Sequence, residues 1–253
     1  LHVITGLATG GAERALVRIL EGGLVGQCEN VVISLGDEGT QGAVIRDLGV
    51  PVYALGMRRG FPSLRKLQEL RNLVAYIRPE VTQGWMYHGN LAASLAARLS
   101  AGQSPVLAWN VRQSLYSLAG EKLLTKQVIR ANRWGSSRPD VILYNSRLSR
   151  EQHEAYGFSA ERGKVIPNGF DTTALYPDRE RGGMMRTALD IPPSALVIGH
   201  VARFHPMKDH ASFLRAAIAV MRHHSKIVCL LAGREVYLQN PALSGIVPPE
   251  LES

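Results

Sequence analysis

The first glycine cluster of the sequence lies directly after a hydrophobic run, where phosphate-binding loops are often found. Gly6 and Gly11 have the spacing of the first half of a P-loop, but Ala12 and Glu13 stand where such a loop needs Lys and Ser or Thr. The glycines also lack the spacing of a Gly-x-Gly-x-x-Gly dinucleotide fingerprint. A helix that opens here would still present free backbone N–H groups at its positive end. The pattern therefore predicts a generic anion site and argues against a P-loop nucleoside triphosphatase.

Other side chains with binding chemistry follow later hydrophobic runs. His88 comes after the run at 81–86, Asn110 and Arg112 lie at the end of the run at 106–111, and Arg203 and Lys208 follow the run at 195–202. If these runs are parallel strands, their carboxyl ends form the edge at which open α/β sheets bind ligands. Arginine and lysine suit phosphate oxygens, and histidine can hydrogen-bond a hydroxyl. Taken singly, Arg203 and Lys208 could also be surface cations, and His88 a structural histidine.

Short β-branched runs alternate with helical patterns through most of the chain. We predict strands within residues 1–5, 31–35, 50–55, 81–86, 106–111, 140–146, 164–169, 195–203 and 226–233. Apolar residues spaced three and four apart predict helices near residue 12 and within 61–77, 90–99, 121–134, 149–157 and 208–224. This alternation indicates an α/β fold with a parallel, doubly wound sheet.

A segment rich in Pro, Gly and charge, residues 171–193, predicts a linker with one short helix. We expect residues 1–170 to form a complete Rossmann-like domain, and residues 171–253 to hold the linker and a second domain. Only two predicted strands and one long helix follow Pro193, which is too little for a complete α/β domain. We therefore expect the chain to be a fragment in which the second Rossmann-like domain is only partly present.

The composition is that of an ordinary globular protein, with 45% apolar and 20% charged residues. The sequence has no apolar run near the roughly 18 residues of a membrane span, and no signal segment opens it, so we expect a cytoplasmic protein. Cys28 and Cys229 lie in apolar, strand-like surroundings without metal-type spacing. We expect both to be buried free thiols.

Positive charge is concentrated in one part of the chain. Residues 51–150 contain fifteen Lys and Arg against four Asp and Glu, a surplus of +11, within a net charge of +8 for the whole sequence. Such a surface is either an ordinary solvated face or one that attracts anionic lipid head groups or anionic substrates. We expect no nucleic-acid partner, because no nucleic-acid motif accompanies the charge.

Several segments together resemble the family-4 retaining glycosyltransferases of the GT-B fold, in which two Rossmann-like domains face each other across a cleft. They are GGAER (10–14), WMYHGNLAASLAAR (85–98), VIPNGFDTTALYP (165–177) and above all VARFHPMKDHASFLRAA (201–217). The resemblance covers essentially the whole chain, and the order and spacing of the segments make it specific. It implies transfer of a sugar from a UDP- or GDP-sugar to a glycan or lipid-linked acceptor, in cell-surface polysaccharide or lipopolysaccharide synthesis. It also implies a peripheral location at the inner face of the membrane, with the first domain on the acceptor side and the second binding the nucleotide-sugar.

The resemblance also implies catalytic roles. Arg203 and Lys208 look like ligands of the donor diphosphate, and His88 like a residue beside the transferred sugar. The sequence contains no Asp-x-Asp metal element. Fixed cations, rather than a metal, are then expected to stabilise the leaving diphosphate, and no cofactor is expected.

The remaining candidates are binding residues. In the resembling family the turn at Gly10 and Gly11 faces donor and acceptor, where glycine lets the backbone approach the ligand. The alternative is a tight strand-to-helix turn that merely needs positive φ. Asn110 and Arg112 are acceptor-site candidates on the next strand.

The chain departs from the family after LLAG (230–233). The second domain should continue into two glutamates separated by seven residues, and Glu235, Glu250 and Glu252 do not match them in spacing or context. We therefore expect a half-built donor site and an inactive chain. Two other functions stay open: a nucleotide-sugar epimerase of GT-B architecture, which needs acid/base carboxylates, and a non-catalytic nucleotide-sugar- or membrane-binding module.

Overall fold

The computed structural model describes residues 1–57, 63–100, 104–119, 122–237 and 239–248. The chain divides into two compact units, Leu1–Phe170 and Asp171–Ser253, called unit 1 and unit 2 below. Glu250 and Glu252 lie outside the described residues, as do residues 61, 62 and 121 of two predicted helices.

Unit 1 is built on a parallel sheet of seven strands. Their order across the sheet is β3-β2-β1-β4-β5-β6-β7, and every neighbouring pair runs parallel. This confirms the predicted doubly wound α/β architecture. The strands are β1 His2–Ile4, β2 Val32–Ser34, β3 Val52–Ala54, β4 Val81–Trp85, β5 Val106–Val111, β6 Val141–Tyr144 and β7 Gly163–Val165.

The helices of unit 1 connect these strands. They are α1 Gly11–Glu21, α2 Gly39–Asp47, α3 Leu64–Ile77, α4 Met86–Leu99, α5 Leu123–Gly135 and α6 Arg147–Tyr156, with a short 3₁₀ helix at Leu24–Gly26. Helix α2 was not predicted from the sequence, because its segment GTQGAVIRD carries two glycines and few apolar residues. Helix α4 begins at Met86 rather than near Asn90, so His88 lies in the first turn of a helix.

Glycines allow α4 to pack unusually close to the sheet. A Cβ on Gly89 would lie 2.6 Å from the carbonyl oxygen of Val3 in β1, and a Cβ on Gly84 in β4 would collide with the backbone of Asn90. Larger residues would push the helix away from the strands. The first turn of α4 is therefore held directly over the ends of β1 and β4.

Unit 2 contains α7 Arg179–Ala188, β8 Leu196–Val201, a short 3₁₀ helix at Pro206–Lys208, α8 His210–Met221, β9 Ile227–Ala232 and α9 Pro241–Ser244. Helix α7 is the short helix predicted within the linker. In the described part of unit 2, β8 and β9 form a parallel two-stranded sheet, paired from Leu196 with Ile227 to Val201 with Ala232. No helix among the described residues of either unit is long and apolar enough to cross a membrane.

The two cysteines are free thiols, but the expectation that both are buried was wrong. Cys28 is exposed, because it follows the 3₁₀ helix and precedes the start of β2 at Val32. Cys229 lies on β9 and is partly buried, and this burial raises the pKa of its thiol.

Candidate functional site

The carboxyl ends of β1, β4 and β5 lie side by side in unit 1. Ile4 pairs with Trp85, and Trp85 with Asn110, at the ends of the three strands. The structure therefore brings five predicted residues to one edge of the sheet: Gly10, Gly11, His88, Asn110 and Arg112. Arg203 and Lys208 belong to unit 2.

The glycine turn after β1 leads into α1 without a side-chain cap. Gly10 is the N-cap residue, with extended backbone (φ −152°, ψ 179°), and its turn carries no side-chain capping hydrogen bond. Neither Gly10 nor Gly11 is at positive φ, so the alternative of a tight turn that merely needs positive φ is wrong. Where a Cβ of Gly11 would stand, no described atom lies within 4 Å apart from its chain neighbours and the backbone of its own helix. The exposed backbone at Gly11 is therefore open to a ligand.

The side chain of Glu13 lies over this turn. A Cβ on Gly10 would collide with the Glu13 carboxylate, and burial raises the pKa of that carboxyl group, although a hydrogen bond from its own backbone N–H acts the other way. From the sequence, Glu13 was expected to pair with neighbours or to cap the helix, and to have no part in catalysis. Its position in the first turn of a helix with a glycine N-cap is the sequence signal that could have indicated a carboxylate over this turn.

His88 projects from the first turn of α4 and its side chain is exposed. Partial desolvation nevertheless lowers the pKa of its imidazole, so the ring is neutral at pH 7. A neutral imidazole offers one donor and one acceptor, which suits a sugar hydroxyl. The backbone just before it is fixed in an uncommon conformation, since Met86 has a φ of +62°.

Two buried side chains hold the turn that carries His88. The Tyr87 hydroxyl lies 2.7 Å from Nε2 of His153 in α6, and Nδ1 of His153 lies 2.7 Å from the Ser149 carbonyl oxygen. Since a carbonyl only accepts, Nδ1 donates and Nε2 accepts from the tyrosine. Asn132 in α5 donates to the Tyr87 carbonyl at 3.0 Å. Burial lowers the pKa of His153, which keeps this arrangement neutral.

The guanidinium of Arg112 is fixed by several neighbours. It donates to Asn110 Oδ1 at 3.3 Å and to Asn168 Oδ1, and it lies 5.8 Å from the centre of the Trp85 ring. Desolvation lowers the pKa of Arg112, but an arginine stays charged. Asn110 is only 2% exposed, so its side chain positions Arg112 and has little access to a ligand. Arg112 is thus a fixed cation at the unit 1 edge.

Trp85 lies beneath this edge and is fully buried. Its Nε1–H donates to Nδ1 of His2 at 3.3 Å, and Nε2 of His2 lies 3.1 Å from Asn30 Oδ1. Because the indole can only donate, Nδ1 of His2 must accept and Nε2 must carry the proton. Burial, the largest cause, lowers the pKa of His2 to about 4.

In unit 2, Arg203 and Lys208 follow the carboxyl end of β8, as predicted. Arg203 comes two residues after the strand, and Lys208 ends the 3₁₀ helix that follows. Both side chains are exposed, and no acidic side chain in the described part of the chain pairs with either. Two unpaired cations five residues apart at a sheet edge can bind an anion with two charged groups.

The loop that carries Arg203 is held against the loop after β9. A Cβ on Gly233 would collide with the Ala202 carbonyl and lie 2.9 Å from the Arg203 nitrogen, so only glycine allows this approach. His210, at the start of α8, lies 3.2 Å from the Ala202 carbonyl through Nε2 and stacks on His200 with ring centres 4.5 Å apart. These supports were not predicted from the sequence, in which the glycine that ends LLAG is their visible sign.

Metal ligands are not gathered in the described residues. No three His, Cys, Asp or Glu side chains there are close enough together to hold a metal ion. Arg112 and Glu13 lie at the carboxyl edge of the unit 1 sheet, and Arg203 and Lys208 lie at that of the unit 2 sheet.

Comparison with sequence families gives a match for most of unit 1. The family described as Glycosyltransferase Family 4 matches residues 9–174, which is more than half of the chain. The chain is also similar to EpsF of Bacillus subtilis (strain 168), a protein named as a glycosyltransferase. The two are 36% identical over 73 residues, which cover 29% of this chain and 19% of EpsF.

Solved structures share the fold. Anabaena Alr3699/HepE, in complex with UDP and glucose, has a TM-score of 0.71 at 20% identity, over 91% of this chain and 60% of that one. A glycosyltransferase from Rickettsia africae ESF-5 has a TM-score of 0.67 at 14% identity, over 96% and 62%. A UDP-GlcNAc 2-epimerase from Neisseria meningitidis bound to UDP-GlcNAc scores lower, 0.52 at 13% identity, over 98% and 70%. The chain thus has the GT-B fold and spans about 60% of the length of the first two structures.

Proposed function

Because the chain belongs to glycosyltransferase family 4, we propose that it provides the acceptor side and part of the donor side of a retaining glycosyltransferase. Its substrates would be a nucleoside-diphosphate sugar, with UDP or GDP as the nucleotide, and a glycan or lipid-linked acceptor. The observation that carries the proposal is that Arg203 and Lys208, which follow the carboxyl end of β8, are exposed and have no acidic partner among the described residues.

The donor diphosphate is assigned to these two cations. The Arg203 guanidinium can grip two phosphate oxygens as a fork, and the Lys208 ammonium can act as a point charge. Both project from a loop that Gly233 and His210 hold in place, so little order must be gained when the diphosphate binds. The UDP in the Anabaena structure supports a nucleotide-sugar donor for a chain of this fold.

The same cations would serve the chemical step. The bond between the anomeric carbon and a diphosphate oxygen breaks, its electron pair stays on that oxygen, and negative charge grows there as the sugar moves to the acceptor hydroxyl. Positive groups that are already in place stabilise this charge more in the transition state than in the bound substrate. We propose that they do so without a metal ion, since the sequence has no Asp-x-Asp element.

The unit 1 edge is assigned to the acceptor and the transferred sugar. His88 is neutral and exposed, so it can accept from one sugar hydroxyl and donate to another. Arg112 offers a fixed cation, with Asn110 as its positioning residue. The open backbone at Gly11 lets a sugar or phosphate lie against the first turn of α1, next to Gly10, which the Glu13 side chain covers.

The setting proposed for this reaction is the synthesis of cell-surface polysaccharide or lipopolysaccharide at the inner face of the cytoplasmic membrane. Its support is the basic surplus of residues 51–150, which lie in unit 1 and would attract an anionic membrane that presents a lipid-linked acceptor.

An epimerase remains the second candidate, and one carboxyl group favours it. Epimerisation needs acid/base groups near the sugar, and the raised pKa of Glu13 beside the glycine turn is of that kind. The epimerase structure also shares the fold, at a lower TM-score than the two structures above.

Product analysis separates the candidates. The protein encoded by the complete reading frame that contains this chain is incubated with UDP- or GDP-sugars and an acceptor extract. We expect the labelled sugar to appear in the acceptor with retained anomeric configuration. An epimerised donor would indicate the second candidate, and an unchanged donor under all conditions would refute the enzyme reading in favour of a binding module.

A further inference from the structure

Helix α5 presents a stripe of apolar and basic side chains to solvent. Leu123, Arg130 and Trp134 are exposed and, with Gln127, follow one another at intervals of four, three and four residues. That spacing places them on one face of a helix. Its opposite face is buried, with Ile129 and Asn132 against the unit 1 core. We call Lys122, Leu123, Leu124, Arg130 and Trp134 the α5 surface.

The exposure of the apolar members is large for residues of this type. Leu123 is 71% exposed, Leu124 56% and Trp134 77%. Single exposed apolar residues are common, but Leu123 and Trp134 on one stripe, with Leu124 beside it and two exposed cations close by, are the composition of a helix that lies in a membrane interface. Tryptophan in particular favours the level of the lipid head groups.

The charge of α5 is of one sign. The segment LLTKQVIRANRWG contains Lys126, Arg130 and Arg133 and no Asp or Glu, and the N-cap residue before it is Lys122. By contrast α7, which also exposes two adjacent apolar residues, Met184 and Met185, has acidic side chains in its first turn and N-cap. The α5 surface is therefore complementary to an anionic surface.

Helix α5 begins on the carboxyl side of the unit 1 sheet, which is the side of the candidate acceptor site, and Asn132 in its second half donates to the carbonyl of Tyr87 beside His88. Strand β5 ends at Val111 on the carboxyl edge, and α5 returns the chain from that edge toward the start of β6 at Val141. Leu123 and Leu124 are thus at the same edge of unit 1 as His88 and Arg112. The aromatic ring of Tyr116, in the loop after β5, is also exposed there.

We infer that the α5 surface docks on an anionic lipid bilayer, with α5 lying along the membrane and Leu123, Leu124 and Trp134 entering the head-group region. Leu123 and Trp134 are eleven positions apart, so the stripe is about 16 Å long, enough for several head groups. The inference rests on the proposed peripheral location and adds which surface meets the lipid. It places the carboxyl edge of unit 1, with its acceptor candidates, next to the membrane from which a lipid-linked sugar would come.

Trp134 provides the test, since the other two tryptophans, Trp85 and Trp109, are buried. The 253-residue chain is mixed with phosphatidylcholine vesicles that contain or lack phosphatidylglycerol, and tryptophan emission and co-sedimentation are measured. We expect a blue shift and co-sedimentation with the anionic vesicles only, decreasing as salt is raised. Trp134→Phe is expected to co-sediment but to show no blue shift.

Two double variants separate the apolar and charged contributions. Leu123→Ser with Leu124→Ser is expected to lower vesicle partition at least about tenfold. Lys122→Gln with Arg130→Gln is expected to lower it about fivefold for each charge removed. The matched control is Met184→Ser with Met185→Ser, an adjacent exposed apolar pair on α7, which is expected to leave partition unchanged.

Equal partition onto neutral and anionic vesicles would overturn the inference, as would vesicle binding in which Trp134 emission does not change. A blue shift that grows with protein concentration in the absence of vesicles would assign the α5 surface to a second copy of the chain instead. Calorimetry of UDP binding on the same samples keeps the two claims apart. Lost vesicle binding with intact UDP binding would refute only the lipid docking.

Discussion

The buried pair His2 and Trp85 predicts that unit 1 loses stability in mild acid. Nδ1 of His2 accepts from the Trp85 indole, so a proton added at Nδ1 would meet an N–H group and break that hydrogen bond. Burial reinforces the effect and lowers the pKa of His2 from its ordinary value of 6.5 to about 4. The unfolded chain therefore binds this proton first as the pH falls.

The size of the loss in unfolding free energy follows from the difference between the pKa values of His2 in the folded and unfolded chain. A folded-state pKa below the unfolded one means that the unfolded chain carries more protons between about pH 6.5 and pH 4. The stability is complete above pH 6.5 and decreases as the pH falls through this range. At pH 4.5 the cost is about 2.5 kcal/mol, at about 1.36 kcal/mol for each pH unit. His153, whose pKa is also lowered by burial, acts in the same direction.

Urea unfolding at pH 7.0 and pH 4.5, followed by tryptophan emission, measures this loss. The variant His2→Gln isolates the share of His2, because glutamine can accept from Trp85 and donate to Asn30 but does not titrate. We expect the drop in unfolding free energy between the two pH values to be about 2.5 kcal/mol smaller in the variant than in the wild type. Equal drops in both proteins would refute the reasoning.

Two further predictions concern residues at the sheet edges. Lys208→Ala in the complete enzyme should lower kcat by on the order of 10²-fold with a much smaller change in donor KM, because the negative charge that Lys208 meets is greatest in the transition state. Steady-state kinetics measures this, with Arg222→Ala, an exposed arginine at the end of α8, as the control. An unchanged kcat would show that Lys208 is an ordinary surface lysine. Gly89→Val should destabilise unit 1 by about 1–3 kcal/mol, since its Cβ would lie 2.6 Å from the Val3 carbonyl oxygen. Gly11→Val, whose side chain would enter open space, should leave the stability unchanged but weaken donor or acceptor binding. Urea unfolding with binding measurements checks both glycines, and equal unfolding free energies for Gly89→Val and the wild type would contradict the close approach of α4.

The strand-level organisation could be predicted from the sequence because each strand is a short β-branched run between helical patterns. VLAWNV at 106–111, for example, is β5 over its full length. Helix α2 could not be found this way, since Gly39 and Gly42 interrupt its apolar spacing. The exposure of Cys28 was also hidden, because the apolar residues around it form a 3₁₀ turn and not a strand.

The sheet edge was predictable, but what supports it was not. His88, Asn110 and Arg112 each follow a recognisable strand, so their common edge follows from parallel pairing alone. The contact of Tyr87 with His153 joins residues 66 positions apart and depends on how α4 and α6 pack, which no local pattern encodes. The roles given to the edge residues in binding and catalysis remain predictions.

Calorimetry of UDP and GDP binding to the 253-residue chain tests the central claim most directly, that Arg203 and Lys208 hold a nucleoside diphosphate without a metal. We predict weak binding of at least one of the two nucleotides, unchanged by EDTA. We also predict that this binding is lost in the double variant Arg203→Ala with Lys208→Ala and preserved in the control Arg222→Ala. A strict requirement for magnesium, or equal binding by the double variant and the wild type, would contradict the account.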